Sequence, residues 1–256
     1  MSDENHQLAV FIDFENLVLG IRGSKKKFDI VKVLDRMLEK GKITVKKAYC
    51  DWDRYKEFKP GMHDAAFELI EIPHTRQSGK NSADIRMVVD ALDLCYTKDH
   101  IDTFVVISGD SDFSPLVSKL RENAKLVIGV GVRSSTSDLL ISNCDEFIFY
   151  NDLIKKKKSQ KKRRAPLKQK KSEAPAPKSE PDVQEDGIQA VLDTAEALIA
   201  ERGDRVFGSM VKQTLKRRRP DFNETTYGFS SFNELLEEAQ ERGNLDIEAD
   251  ERSGGY

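Results

Sequence analysis

Short apolar runs followed by aspartate constrain the fold of this chain more than any other feature. Residues 8–12 and 103–107 are rich in β-branched and aromatic residues and are typical of strands in a buried parallel sheet. Asp13 follows the first run, and Asp110 and Asp112 follow the second within the segment SGDSDF. In an open α/β sheet, the carboxyl ends of the strands line the crevice that binds ligands. The pattern therefore predicts an acidic site at one edge of a parallel sheet.

Helical patterns alternate with the strand-like runs over the first 150 residues. Asp29 is placed to cap one helix, and the helix that begins at Ser82 is amphipathic. Its apolar stripe, predicted to face the core, is Ile85, Val88, Val89, Leu92 and Cys95 with Tyr96. Further helices are predicted near residues 60, 115 and 137, and further strands at 43–50, 69–72, 126–132 and 146–150. This alternation predicts an α/β fold, in which a central parallel sheet lies between two layers of helices.

Three separated acidic positions are candidates for a metal site: Asp13, Asp84 in the first turn of the Ser82 helix, and the pair Asp110 and Asp112. Carboxylates that converge repel one another and usually stay ionised only around a cation. Oxygen ligands suit Mg²⁺ or Mn²⁺ rather than zinc. Each aspartate taken alone is also an ordinary turn former or helix cap, so the metal hypothesis depends on their convergence. The four histidines are scattered, which argues against a histidine-based hydrolase.

The same segments resemble the NYN domain, the PIN-like ribonuclease group that includes the LabA proteins. The resemblance rests on FIDFEN near the amino terminus, on KNSAD at the start of a helix and on VVISGDSDFSPLV. It covers about the first 150 residues, with the motifs in the expected order. Where relatives often carry glycine or another small residue, this chain has Phe14 and Glu15, so a bulkier, charged neighbour lies beside Asp13.

The resemblance implies a metal-dependent endoribonuclease. Its catalytic and metal-binding residues would be Asp13, Asp84, Asp110 and Asp112, with Mg²⁺ or Mn²⁺ as the cofactor. Candidates for contacts with the substrate phosphate are Asn16, Lys80 and Ser108. For these three residues an Asx turn, a solvated lysine and a turn-shaping serine are the ordinary alternatives.

Length and composition predict two domains that are joined by a basic connector. The 256 residues carry a net charge of only −2, but the charge is segregated along the chain. Residues 1–150 hold 21 basic and 24 acidic residues, residues 151–185 hold 12 and 5, and residues 186–256 hold 9 and 15. The three widely spaced cysteines argue against disulfides and structural zinc. With no apolar run long enough to span a membrane, we expect a cytoplasmic protein without a membrane partner.

The connector, residues 155–185, follows a predicted nuclease domain at residues 1–154. Its segment KKKKSQKKRRAPLKQKK has 11 basic residues in 17 and precedes the proline-containing APAPKSEP. Like charges, prolines and low hydrophobicity predict disorder. We expect the basic run to bind RNA phosphates without sequence preference, and the alternative is a solvated spacer.

The last segment, residues 186–256, resembles the LOTUS or OST-HTH domain, a small winged-helix-like module. Its order of helices and aromatic residues carries the resemblance, from VFGSMVKQTLKRRRPDF to YGFSSFNELL. Residues 244–248 are expected to form a short wing strand. The resemblance implies RNA binding, and the candidate basic face consists of Lys212, Lys216, Arg217 and Arg218. The net charge of −6 in this segment keeps a protein partner open as an alternative, and most of the aromatic residues are expected in the core.

Two functional hypotheses from different classes follow from the sequence. The first is an endoribonuclease whose connector and carboxy-terminal module recruit RNA. The second is a catalytically inactive RNA-binding or adaptor protein that retains the fold. The retention of Asp13, Asp84, Asp110 and Asp112 favours the first, because carboxylates that repel one another serve no purpose in an idle domain. The sequence leaves open the identity of the RNA and whether the chain forms a homodimer.

Overall fold

A computed structural model describes residues 6–21, 28–72, 82–154, 180–202 and 206–248 of the chain. The chain divides into two compact units, of which the first contains the residues up to Ile154 and the second most of the remainder. Lys80 and residues 155–179 of the predicted connector lie outside the described residues.

The first unit is built on a parallel sheet with six strands in its described residues. The strands are β1 (His6–Asp13), β2 (Gly41–Cys50), β3 (Glu68–Glu71), β4 (Thr103–Ile107), β5 (Leu126–Gly131) and β6 (Glu146–Phe149). Their spatial order is β3-β2-β1-β4-β5-β6. The chain therefore adds strands in one direction from β1 and then returns to add the others on the opposite side. The ends of β1 and β4 lie side by side where this order reverses, which is the usual position of a ligand site in such sheets.

Helices cover both faces of the sheet, which confirms the three-layer α/β prediction. In chain order they are α1 (Phe14–Ile21), α2 (Ile30–Leu38), α3 (Lys59–Asp64), α4 (Ser82–Thr97), α5 (Ser114–Glu122), α6 (Asp138–Asn143) and α7 (Tyr150–Leu153). Side chains of β1 alternate between the two layers, as strand geometry requires. Val10 and Ile12 pack with α1, α2, α3 and α7, whereas Ala9 and Phe11 pack with α4, α5 and α6.

Local capping signals were accurate guides to the starts of helices. The Asp29 side chain accepts a hydrogen bond from the Val31 N–H at 3.1 Å and caps α2, as predicted. Ser137 caps α6 in the same way through the Leu139 N–H. Cys50, Cys95 and Cys144 are all buried and free, in agreement with the prediction that they form no disulfide.

The predicted orientation of α4 is wrong. The structure buries Met87, Ala91 and Cys95 against the sheet, and it leaves Ile85, Val89 and Tyr96 of the predicted core stripe exposed. The helix is therefore rotated about its axis relative to the prediction from its apolar pattern. Val88 and Leu92 are partly buried and pack at the edge of the core.

A buried charged cluster explains this rotation. Asp90 is buried in α4, and its Oδ2 accepts hydrogen bonds from the Tyr49 hydroxyl at 2.8 Å and from Lys47 Nζ at 3.3 Å. Arg86 Nε lies 3.1 Å from the other carboxylate oxygen. Because a buried carboxylate without partners is costly, these contacts favour the rotation that keeps Asp90 beside β2.

The second unit is helical and has its own core. Its described helices are α8 (Glu180–Arg202), α9 (Gly208–Arg218) and α10 (Phe232–Glu241). Ser231 caps α10 by accepting a hydrogen bond from the Glu234 N–H at 3.1 Å. Phe222, Phe229 and Phe232 are buried, which agrees with the prediction that most aromatic residues of this unit serve the core.

The predicted wing strand is not formed. Residues 245–248 have no regular secondary structure among the described residues, although Leu245 and Ile247 pack against the core of the second unit. The apolar side chains of the segment are thus accommodated without strand pairing. In the part of the chain that the structure describes, no helix has the length and apolarity needed to cross a membrane.

The cluster beneath α4 predicts a stability effect for Tyr49→Phe. The substitution removes the hydroxyl that donates to the buried Asp90 carboxylate, so the free energy of unfolding should fall by about 1–3 kcal/mol. Tyr96→Phe, on the exposed face of α4, is the matched control and should change it by less than about 0.5 kcal/mol. Urea unfolding measures both, and equal midpoints for the two variants would show that Asp90 does not depend on Tyr49.

Candidate functional site

Asp13 is the last residue of β1 and the centre of the candidate site. Its side chain is only 7% exposed, and both carboxylate oxygens accept hydrogen bonds. The Asn16 N–H donates to Oδ1 at 3.2 Å, as in a helix N-cap, and the Ser108 hydroxyl donates to Oδ2 at 3.0 Å. The second bond joins the ends of the two central strands, because Ser108 directly follows β4.

The loop that follows β4 is closely tied to α1. Asn16 Oδ1 accepts a hydrogen bond from the Gly109 N–H at 3.0 Å, and Ser108 Oγ accepts one from the Asp110 N–H at 3.2 Å. Asp110 Oδ1 in turn accepts a bond from the Asp112 N–H at 3.0 Å and so caps the short 3₁₀ turn Ser111–Phe113. Asn16, Ser108 and Asp110 therefore form one network with Asp13.

Gly109 allows this loop to pass close to a neighbouring backbone. A Cβ atom at position 109 would lie 2.5 Å from the carbonyl oxygen of Ser135, well inside normal contact distance. The approach is held by the Ser137 N–H, which donates to the Gly109 carbonyl at 2.9 Å. The glycine of SGDSDF is thus required by packing, and it determines how closely Asp110 is held to β1.

Asp84 lies in the first turn of α4 and interacts electrostatically with the other acids. We call the set of Asp13, Asp84, Asp110 and Asp112 the acidic pocket. Burial, then the charges of Asp110, Asp112 and Glu15, raise the pKa of Asp84 to about 6. Burial raises the pKa of Asp13 to about 7, and the charges of Asp84 and Asp110 add to that effect against the opposing hydrogen bonds. The carboxylates from three separate segments therefore share one electrostatic environment, as the sequence predicted.

The side chains of the acidic pocket determine which metal ion could bind there. Among the described residues, no three His, Cys, Asp or Glu side chains lie close enough together to hold one ion directly. The donor set still suits Mg²⁺ or Mn²⁺, because these ions keep several water ligands and commonly bind through one or two carboxylates. Burial and the repulsion between neighbouring acids raise the pKa of Asp13 and of Asp84, and a hydrated cation would offset both effects.

Glu15 belongs to this environment, and the sequence interpretation missed its role. Its carboxylate lies 3.4 Å from Arg54 Nη1, and its charge contributes to the raised pKa of Asp84. The adjacent Phe14 is fully buried among aromatic side chains that include Trp52, with ring centroids 4.9 Å apart. Phe14 thus anchors the start of α1 in the core, whereas Glu15 stays half-buried near the acidic pocket. The acid two residues after Asp13 in FIDFEN was the available signal.

The remaining predicted residues differ in their surroundings. Asp112 is exposed, and its charge contributes to the raised pKa of Asp84. In the second unit, Lys212 Nζ lies 2.8 Å from Glu224 Oε1 and 5.4 Å from the centre of the Phe232 ring, so an intramolecular ion pair engages it. Lys216, Arg217 and Arg218 occupy the last turn of α9, where Arg217 and Arg218 are exposed.

Comparisons with known proteins agree with these two units. The family model of the NYN domain matches residues 7–153, more than half of the chain, and that of the OST-HTH/LOTUS domain matches residues 186–248. An uncharacterized protein of Methanocaldococcus jannaschii is 26% identical over 185 residues, which are 69% of this chain and 71% of that protein. The crystal structure of a protein of unknown function from Vibrio parahaemolyticus is similar with a TM-score of 0.52 and 25% identity. That similarity covers 60% of this chain and 98% of the other.

The electrostatics of Asp13 predict that Asp13→Asn stabilises the fold at neutral and alkaline pH. The native pKa of about 7 lies above the ordinary value of 3.8, so the native state keeps a proton that the unfolded state has lost. The wild-type protein therefore loses stability as pH rises from about 4 to about 7, and the variant does not. The gain in Tm should be near zero at pH 4 and reach about 5 °C or more above pH 7.

Thermal unfolding followed by circular dichroism across this pH range measures the effect. Asp35→Asn, at an exposed position of α2, is the control and should show no pH-dependent gain. An Asp13→Asn variant that is less stable than wild type at every pH would contradict the argument that the ionised Asp13 carboxylate destabilises the native state.

Proposed function

Because this chain belongs to the NYN domain family, a group of PIN-like nucleases, we propose that its first unit is an endoribonuclease that hydrolyses RNA phosphodiesters. One observation carries the proposal: buried Asp13, hydrogen-bonded Ser108 and Asp110 meet at the carboxyl ends of the two central strands. Asp84 adds a third acid from α4, and burial with mutual repulsion raises the pKa of Asp13 and of Asp84. A pocket of this kind attracts a divalent cation and, through it, a polyanionic substrate.

We assign Mg²⁺ or Mn²⁺ as the cofactor of this pocket. When bound, such an ion lowers the pKa of a water molecule and offsets the charge that develops on the leaving oxygen. Asp13, Asp84 and Asp110 would hold it, one or two of them directly and the others through its water ligands, and the exposed Asp112 would orient a water molecule. The hydrogen bonds from Ser108 and Asn16 fix the orientation of Asp13, which keeps the pocket preorganised.

Polar groups around the acids are suited to positioning the RNA backbone. Asn16 uses its amide oxygen to bind the Gly109 N–H, so its N–H₂ group is the part that would donate to a substrate phosphate. Ser108 shares its hydroxyl between Asp13 and the Asp110 N–H, which suits it to orienting the acids more than to contacting substrate. Lys80 remains a candidate phosphate contact from the sequence alone.

The connector and the second unit would bring RNA to the nuclease pocket. The OST-HTH/LOTUS domain suggests RNA binding, and its exposed Arg217 and Arg218 lie at the end of α9 together with Lys216. The 11 basic residues of positions 155–171 would add affinity that depends on salt and not on sequence. The competing hypothesis of a catalytically inactive adaptor retains this recruitment without cleavage, so an activity assay separates the two hypotheses.

Replacement of Asp110 by asparagine should abolish RNA cleavage and leave folding unchanged. Asparagine keeps the oxygen that accepts the Asp112 N–H but removes a charge from the pocket. We expect the rate of cleavage to fall by about 100-fold or more, equivalent to about 2.7 kcal/mol in the barrier. The measurement uses a fluorescently labelled RNA with Mg²⁺ or Mn²⁺ and a parallel reaction with EDTA.

Asp35→Asn removes a carboxylate on the far helix α2 and should retain full activity. RNA affinity by fluorescence anisotropy should be similar for wild type and Asp110→Asn, which would show that the loss lies in the chemical step. Cleavage by wild type that persists in EDTA would refute the metal dependence. Failure of wild type to cleave any RNA tested with both metals would support the adaptor hypothesis instead.

Charge reversal on α9 tests recruitment by the second unit. The double substitution Lys216→Glu and Arg218→Glu, made in the Asp110→Asn chain to prevent cleavage, should weaken binding of structured RNA by about 10-fold or more. Arg242→Glu is the opposite control, because it breaks ion pairs with Glu238 and Glu185 and should lower Tm without weakening binding. Unchanged RNA affinity in the double variant would contradict RNA binding by this surface and would support a protein partner instead.

A further inference from the structure

Helix α4 presents an apolar stripe to solvent on the side that faces away from its buried residues. Ile85 is 62% exposed, Val89 56% and Tyr96 59%, and the half-buried Leu92 completes the row. At 100° per residue these four side chains fall within a sector of about 60°. Elsewhere in the described part of the first unit, α2 exposes Val31 and Leu38, seven positions apart, and α1, β5 and α6 each expose one large apolar residue. Single exposures of that kind are ordinary, whereas a continuous helical stripe is typical of an interaction surface.

The spacing of the stripe identifies a partner that fits it. Consecutive members are separated by four, three and four positions, so the stripe has the same spacing when the helix is read in the opposite direction. We propose that α4 packs antiparallel against α4 of a second copy of this chain, about a two-fold axis near the middle of the helix. In that arrangement Ile85 contacts Tyr96 of the partner subunit, and Val89 contacts Leu92 of the partner subunit. Every apolar member of the row then meets another apolar member.

The charges beside the stripe select the second copy and the antiparallel direction. Arg86 and Asp93 are both exposed and lie on the same flank of the stripe, about 80° to 100° from Ile85. Arg86 contacts Asp90 of its own helix through Nε, at 3.1 Å. An antiparallel pair brings Arg86 within about 3 Å, along the helix axis, of the position facing the partner's Asp93, so the end of its guanidinium would reach that carboxylate. Two such pairs form by symmetry. A parallel two-fold pair would instead place this flank of the two helices on opposite sides of the contact, so Arg86 would not meet the partner's Asp93.

The limited size of the surface determines how strong the association can be. Helix α4 has 16 residues and is about 24 Å long, and each copy contributes four apolar side chains. An interface of this size is below that of a permanent dimer, so the pairing is a reversible one with a dissociation constant in about the micromolar range. The association is independent of the proposed nuclease activity, because the stripe contains no residue of the acidic pocket.

Sedimentation velocity of the full chain tests the pairing. Between about 1 and 200 µM, the wild-type mass should rise from 29.0 kDa toward twice that value. Val89→Glu should weaken self-association by about 10-fold or more, because it places a charge in the apolar contact. Val31→Glu is the matched control, since Val31 is 54% exposed on α2 of the same unit, and it should associate like wild type. Asp93→Arg should also weaken association by opposing Arg86 of the partner subunit.

Cross-linking tests the register of the two helices. A mixture of the Ile85→Cys and Tyr96→Cys chains should form a mixed disulfide under mild oxidation faster than either chain alone forms its own. The native cysteines are buried and give the background, measured with wild type. A wild-type chain that stays monomeric at all concentrations would overturn the proposal, as would equal association of Val89→Glu and Val31→Glu. Faster disulfide formation within each single variant than in the mixture would overturn the antiparallel register.

Discussion

The hydrogen bond between the Ser108 hydroxyl and the buried Asp13 carboxylate is the interaction on which the geometry of the candidate site depends. It joins the ends of β1 and β4, the two strands at which the sheet reverses its order. Through Ser108 and Asn16 the same network reaches Gly109 and the loop that carries Asp110. The buried strands β1 and β4 bring Asp13 and the loop after β4 close together. The hydrogen bonds then hold the carboxylates of Asp13 and Asp110 in place against their mutual repulsion. This one hydrogen bond therefore contributes both to the stability of the fold and to the geometry of the site.

The rotation of α4 shows how polar contacts overrule an apolar pattern. If the helix turned so that Ile85, Val89 and Tyr96 faced the sheet, Asp90 would leave Tyr49 and Lys47, and Asp84 would turn away from the pocket. Burying that stripe would remove more apolar surface from water, at about 25 cal/mol per Å². The same turn would expose Met87 and Ala91 and would leave Lys47 and the Tyr49 hydroxyl without Asp90. Removing one partner of a buried ion pair costs about 3–5 kcal/mol, which opposes the turn. The helix therefore keeps Asp90 beside β2 and Asp84 beside the other acids, and it leaves Ile85, Val89 and Tyr96 exposed.

The sequence predicted the features that depend on local chemistry. The strands, the cap at Asp29, the helix near residue 137 and the proximity of Asp13 to Asp110 follow from short patterns combined with the rules for parallel sheets. The orientation of α4 could not be predicted in that way, because the Tyr49–Asp90 contact joins residues 41 positions apart. The wing expected at residues 244–248 failed for a related reason, since strand formation requires a partner that no local pattern specifies. Glu15 was visible in the sequence, but its coupling to Asp84 became evident only once α1 and α4 were placed together.

The separation in sequence between the two halves of the pocket has a consequence for synthesis. Asp13 and Ser108 are 95 residues apart, and β1 is a central strand that needs β4 as its neighbour on one side. The ribosome therefore synthesises Asp13, Glu15 and Asn16 long before the residues with which they interact in the folded protein. A nascent chain that ends before the loop after β4 lacks Asp110 and Asp112. It also lacks the Ser108 hydroxyl that orients Asp13. The nascent chain thus passes through the translation machinery, which is itself rich in RNA, before its acidic pocket can be completed.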